Sequence, residues 1–284
     1  MGPPSQLMEG LAINYMIRFE KIALVECTLG EGISISANGE CITWVDILGN
    51  KVFCYSNLTN VLEVKGNWEN PSCTFQDASE WVFVSHNGGI DRFSKLTGSP
   101  EHCVTWFGGN SNLRCNDGKM DSFGNIWIST MSKSLEENRG AIWKWDKRSS
   151  PIIVKDGLTI PNSICVNEAT QEFYYGDTPK NRIYVDRLDS NHVPIGCDEI
   201  FFDGADIDGL PDGSAIDDSG CLWNTRWDGS CIVKISHDGD VLKTLATPFS
   251  RPTSLVFLGS NSFFVTSASG PTSSDVGMTY RVSI

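Results

Sequence analysis

Asp208-Gly209-Leu210-Pro211-Asp212-Gly213-Ser214-Ala215-Ile216-Asp217-Asp218-Ser219-Gly220-Cys221-Leu222-Trp223 is the stretch whose reading decides the fold. Gly209 and Pro211 punctuate a loop that carries Asp212. Ala215 and Ile216 follow, then an Asp-Asp-Ser-Gly turn, then an apolar strand start at Cys221, Leu222 and Trp223. A carboxylate where a loop enters a strand can point off the sheet end into a shared cavity, whereas the acidic pair of the turn faces water. Asp212 is therefore a ligand candidate, and Asp217 is turn punctuation.

The same order of loop, strand, turn, aromatic strand, turn and strand recurs along the chain. Its first copy runs from Leu29-Gly30-Glu31-Gly32 through Cys41-Ile42-Thr43-Trp44-Val45-Asp46 to Val52-Phe53-Cys54-Tyr55. The second, around Trp81–Val84 and Ile90–Phe93, is the least clear, and its blade is expected to be the least regular. The third spans Asn116 to Trp145, the fourth Pro161 to Val185, the fifth the opening stretch through Ile235, and the sixth Ser254 to Val265. Six copies at about 40–50 residues each match an all-β, six-bladed β-propeller, a ring of four-stranded blades. No dozen residues keep an apolar stripe at helical period without Gly, Pro or Asn interrupting it. Ring closure is expected between Ile22–Val25 and Tyr280–Ile284.

Residues 1–16, opening Met-Gly-Pro-Pro-Ser, sustain no period and read as an unstructured or vector-derived leader, leaving 17–284 as one domain. A formal charge of −13 argues against a nucleic-acid or anionic-membrane partner and favours a bound cation. No apolar run approaches the roughly 18 residues of a membrane span, and the start lacks a signal peptide, so the protein reads as cytoplasmic. The ten cysteines form no CxxC pair and mostly sit singly in strand-like runs, as reduced core residues do. No GxSxG elbow, P-loop, GxGxxG or HExxH occurs, which removes most hydrolase, kinase and dehydrogenase mechanisms and leaves metal-assisted chemistry.

In a propeller the loops entering the innermost strands converge on one mouth of the central channel. The residues at that phase are Glu31, Asn116, Asn162 and Asp212. Two carboxylates and amide oxygens suit a hard divalent cation that keeps positions open for water and substrate. Arg114 would bring a fixed positive fork to the same mouth.

Leu29-Gly30-Glu31-Gly32, Trp44-Val45-Asp46-Ile47, Arg114-Cys115-Asn116-Asp117-Gly118, Ser129-Thr130-Met131, Pro161-Asn162-Ser163 and Leu210-Pro211-Asp212-Gly213 together resemble the SMP-30/gluconolactonase/regucalcin family, in that family's order. The resemblance implies a six-bladed propeller with one divalent cation that hydrolyses sugar lactones to aldonic acids. By resemblance Glu31, Asn162 and Asp212 match the metal ligands and Arg114, Asn116 and Glu137 the substrate contacts; with the metal activating water, Asp212 is also assigned the catalytic role of proton acceptor. Ca²⁺ or Zn²⁺ is expected first, with Mg²⁺, Mn²⁺ or Fe²⁺ as alternatives, in a monomer or weak homodimer. Ile33-Ser34-Ile35, Cys115 and Ala268-Ser269 depart from the family's usual residues and would alter substrate fit. A calcium-binding regulatory propeller without turnover, and a metal-dependent esterase or phosphotriesterase, are the competing functions.

Overall fold

The computed structural model describes residues 17–66, 68–95, 98–106 and 112–284, and the leader expected at 1–16 lies outside them. Among the described residues, twenty-four strands form six four-stranded sheets. Each innermost strand touches the next and the last touches the first, so the sheets close as a six-bladed β-propeller. Blade 1 runs Gly30–Ile35, Cys41–Asp46, Lys51–Ser56 and Leu62–Val64 from the channel outward. The innermost strands of blades 2 to 6 are Cys73–Gln76, Leu113–Met120, Pro161–Asn167, Leu210–Ile216 and Pro252–Gly259.

Closure uses a different segment from the one the apolar pattern suggested. Arg18–Lys21 pairs with Tyr280–Ser283, and only the amide of Ile22 continues the ladder, to Thr279. An edge strand needs one inward apolar residue, and Phe19 supplies it, meeting Phe249 and Tyr280 edge-on at 5.9 and 6.4 Å. Ile22, Ala23 and Val25 instead pack against the apolar cluster between blades 6 and 1.

The core is not central but divided into six clusters, each filling one seam between neighbouring blades. Trp44 stacks on Phe53 at 5.2 Å where blade 1 meets Phe264 of blade 6. In the seam between blades 3 and 4, Trp127 stacks on Phe173 at 4.8 Å. This is why a large aromatic recurs in the second strand of the repeat: a twisted sheet leaves a wedge-shaped gap to its neighbour, and a ring fills it.

The turn after the innermost strand has a structural duty. Asp217 accepts the amides of Ser219 and Cys221 and the Trp223 indole N–H at 2.8 Å, and pairs with Lys234 at 2.8 Å. Its side chain is 12% exposed, so it faces the blade rather than water, contrary to the sequence expectation. Asp121 makes the same clasp in blade 3, accepting Asn125 N and the indole of Trp127. In blade 2 only the innermost strand is short, at four residues, while its other three strands have six each.

Candidate functional site

Five innermost strands break register at the same phase of the repeat: between Glu31 and Ser34, Cys115 and Gly118, Asn162 and Cys165, Pro211 and Ser214, and Pro252 and Leu255. A bulge re-aims the side chains beside it. The residues so placed are Glu31, Asn116, Asn162, Asp212 and Thr253, while the blade 2 register from Cys73 to Gln76 runs unbroken. Asp212 therefore lies inside a strand, at a bulge, and not in a loop entering it. Gly32, just after Glu31, has φ 56°, and a Cβ there would stand 2.2 Å from the Ser72 carbonyl oxygen, so only glycine fits. Ser163, just after Asn162, holds the same left-handed conformation at φ 60°, and its hydroxyl donates to the Asp212 carbonyl at 2.6 Å.

The segments leading into these bulges are tied down by residues of the second strands. Asp46 accepts the amides of Thr28 and Leu29, both at 2.9 Å. Asp177 accepts those of Thr159 and Ile160 at 3.1 and 3.0 Å. In blade 5 the corresponding residue is Arg226, fully buried, donating to the Gly209 carbonyl and to Asn181 Oδ1 at 2.7 Å each. Burial pushes its guanidinium down to about 10. The sequence reading missed Arg226, although a lone arginine in the apolar strand Leu222–Trp227 was a signal for a buried, hydrogen-bonded fork.

A polar chain crosses three blades at the floor of the mouth. Arg114 Nη1 donates to Asn116 Oδ1 at 2.9 Å, and Asn116 Nδ2 donates to Asn162 Oδ1 at 2.7 Å. Asn162 Nδ2 donates to Thr178 Oγ1 at 2.9 Å, and Thr178 donates to the Pro211 carbonyl at 2.8 Å, next to Asp212.

Three carboxylates face each other there. Withdrawal from water, then the charge of Asp117, raises Glu31 to about 8. Withdrawal from water, then Glu31, holds Asp212 well above the usual carboxylate range. Burial raises Asp117 to about 6, although its carboxylate accepts the amides of Gly118 and Ile164 at 2.8 and 3.0 Å. Against them stands the Arg114 guanidinium, which burial pulls below its ordinary value. Asp117 was quoted with its neighbours but given no role by sequence reasoning; the Asn-Asp-Gly bulge was its signal.

The cavity above this floor measures about 300 Å³ and brings together Glu31, Arg114, Asn116, Asn162 and Asp212. Glu137 is not among its lining residues and is exposed in the loop between Ile126–Ser132 and Gly140–Trp145. The oxygen donors fit a hard divalent cation: two carboxylates and an amide oxygen converge, and the repulsion that raises their pKa values is what a cation would relieve. Another group, His86, Asp91 and His102 on blade 2, has metal-ligand spacing but lies apart from the cavity lining. There His86 Nδ1 accepts the Gly88 amide at 3.1 Å, and its Nε2 lies 3.2 Å from Asp91 Oδ1. His102 Nδ1 lies 2.8 Å from the same oxygen, so this group is a carboxylate served by two imidazoles.

Among the described residues no helix is long and apolar enough to cross a membrane. All ten cysteines are free, and Cys27, Cys73, Cys115, Cys165 and Cys231 are buried.

Residues 29–269 match the protein family described as SMP-30/Gluconolactonase/LRE-like region. A pentonolactonase of Haloferax volcanii is 25% identical over 253 residues, 88% of this chain and 85% of that one. An L-arabinolactonase of Azospirillum brasilense is 26% identical over 256 residues, 85% of this chain and 81% of its own. Among solved structures, a calcium-binding protein, regucalcin, from Agrobacterium tumefaciens superposes with a TM-score of 0.88 at 25% identity, covering 94% of each chain.

Proposed function

The chain belongs to the SMP-30/gluconolactonase/LRE-like family, and from that membership we propose that it hydrolyses sugar lactones with the help of one divalent cation at the channel mouth. The observation that carries this reading is the meeting of Glu31, Asn162 and Asp212 with Arg114 in one cavity lining, where withdrawal from water and mutual charge raise both carboxyls, a repulsion that a bound cation would relieve. Relatives named as lactonases, and a structural neighbour named as calcium-binding, support the same assignment.

Glu31, Asn162 and Asp212 would hold the ion, Ca²⁺ or Zn²⁺ first, with Mg²⁺, Mn²⁺ or Fe²⁺ as alternatives. When bound it supplies Lewis acidity to the lactone carbonyl and lowers the pKa of water. Arg114, the first member of the polar chain, would orient the ester oxygens. Asn116 anchors that guanidinium and the Asn162 amide at once. Asp212 accepts a proton from the attacking water as the O–C bond forms. The acyl–oxygen bond of the ring then breaks, and the ring oxygen leaves as a hydroxyl, taking up a proton and opening the lactone to its hydroxy acid. No side chain forms a covalent intermediate. Glu137, exposed in its loop, would contact only a substrate that reaches beyond the cavity.

A pH-stat assay on five- and six-carbon sugar lactones, with and without chelator, tests the reading. Acid release that stops on chelation and returns with one added cation supports it. Release that ignores the chelator overturns the metal mechanism. Calcium binding without acid release points to a regulatory propeller, and hydrolysis of aryl esters or phosphotriesters alone points to the third function.

A further inference from the structure

Trp81–His86, Gly89–Ser94 and Pro100–Thr105 are the three outer strands of blade 2, and their register puts three metal-ligating side chains on one face. Asp91 pairs with His102 across one ladder and with Val84 across the other, and His86 lies two residues beyond Val84. Paired residues, and residues two apart in a strand, share a face. One ligand atom from each of the three lies within 4.8 Å of the others.

A tetrahedral ion with bonds of about 2.0–2.1 Å sets its ligand atoms about 3.3 Å apart. His102 Nδ1 stands 2.8 Å and His86 Nε2 3.2 Å from Asp91 Oδ1. An ion therefore enters with shifts of about half an ångström. His86 Nε2 is withdrawn from water and has no hydrogen-bond partner among the described residues. A buried ring nitrogen in that state, beside a carboxylate oxygen, calls for an explanation that a shared cation supplies.

The other atoms of two ligands are already held. Trp68 Nε1 donates to Asp91 Oδ2 at 2.8 Å, which leaves Oδ1 to the rings, and Thr105 Oγ1 sits 3.0 Å from His102 Nε2. Outer partners of this kind orient metal-binding side chains. One bond opposes ligation: His86 Nδ1 accepts the Gly88 amide at 3.1 Å, and binding through Nε2 moves the ring proton to Nδ1. Gly88 is exposed, so water replaces that acceptor at small cost.

We infer that His86 Nε2, Asp91 Oδ1 and His102 Nδ1 form a second cation site, for a first-row transition ion such as Zn²⁺, separate from the oxygen-rich mouth. Two imidazoles and one carboxylate suit zinc, nickel or copper, whereas calcium and magnesium prefer oxygen. The His102 side chain is 55% exposed, so water completes the fourth position. The ion joins three strands of the blade whose innermost strand has only four residues, and acts there as a staple. It stands apart from the cavity lining and takes no part in the reaction at the mouth.

Equilibrium dialysis against micromolar Zn²⁺ in millimolar Ca²⁺, followed by elemental analysis, tests the site in wild type, His86→Gln and His102→Gln. Expected is one zinc fewer per chain in each histidine variant, and the same difference when all three proteins also carry Asp212→Asn, which removes a ligand at the mouth. Co²⁺ in place of zinc should give wild type the strong visible bands of four-coordinate cobalt, which His102→Gln should lack. Zinc should also slow hydrogen exchange in Pro100–Thr105 by about tenfold or more in wild type alone. Equal zinc in wild type and either histidine variant overturns the site, and unchanged exchange overturns the staple. Lactone hydrolysis stands or falls independently of both results.

Discussion

Asn116 Nδ2 donates to Asn162 Oδ1 at 2.7 Å across the seam between blades 3 and 4. Through this one bond the bulge of blade 3 sets where the amide oxygen of blade 4 points. The same Asn116 accepts from Arg114, so the two amide groups and the guanidinium form a single relay with one donor direction. Asn116→Asp keeps size and the acceptor for Arg114 but turns an acceptor toward Asn162 Oδ1. Lactonase kcat should fall about 10- to 100-fold, the loss of one to two well-placed hydrogen bonds. Steady-state kinetics beside a melting curve checks this, since a melting temperature that falls while kcat holds would assign Asn116 to folding alone.

Glu31, raised to about 8, and Asp117, raised to about 6, give the metal-free protein a defined pH dependence. In the unfolded chain these groups ionise near the ordinary carboxylate range of about 4, while in the folded chain they keep their protons to higher pH. The unfolded state therefore binds fewer protons over the interval, and stability falls as pH rises from about 4.5 to about 8. Melting temperature measured in chelator should decline across that window, and one equivalent of the active divalent cation should flatten the decline. A flat or rising curve in chelator would contradict the electrostatic picture of the mouth.

Asp217 accepts from two amides and an indole and pairs with Lys234, which holds its carboxyl well below the usual range. With the folded pKa depressed, its contribution is present above the unfolded pKa of about 3.9 and is lost as pH falls below it. Asp217→Asn should lower the melting temperature at neutral pH by a few degrees, weaken the acid limb of the stability curve, and leave kcat/KM within about twofold of wild type. Calorimetry across pH, with kinetics at pH 7, separates these effects.

Arg226 is fully buried, holding Asn181 and the Gly209 carbonyl. Arg226→Met removes the fork and leaves those oxygens bare, a cost of about 1–3 kcal/mol per unpaired group. Arg226→Lys retains charge but not the geometry and should rescue little. Because the freed segment leads directly into Asp212, turnover should fall with stability in both variants, as thermal melts and kcat/KM measured side by side would show.

Most of the architecture was legible in the sequence because blade seams demand apolar residues at a fixed phase. Trp44, Trp127 and Trp223 all lie fully inside, in the strands the repeat assigned. The fourth strands were not legible. Val241–Ala246 and Pro100–Thr105 sit at the rim with five and four exposed residues of six, so no alternation marks them. The innermost strand of blade 2, Cys73–Gln76, was passed over because four residues are too few to show a period. At the mouth, phase alone brought out Glu31, Asn116, Asn162 and Asp212, since ring closure makes equivalent positions neighbours. What phase could not show was the bulge beside each of them, because a register shift leaves no mark in the apolar pattern.

The most direct measurement of the central claim is lactone hydrolysis by Asp212→Asn set against its own stability. The substitution keeps the side chain's size and removes one of three facing negative charges, so the metal-free protein should be as stable as wild type or more so at pH 8. Turnover at saturating cation should nevertheless fall about 100-fold or more, since both a ligand charge and the proton acceptor are gone. Undiminished turnover in Asp212→Asn, or a loss matched by equal loss of stability, would contradict a reaction centre at the mouth of this propeller.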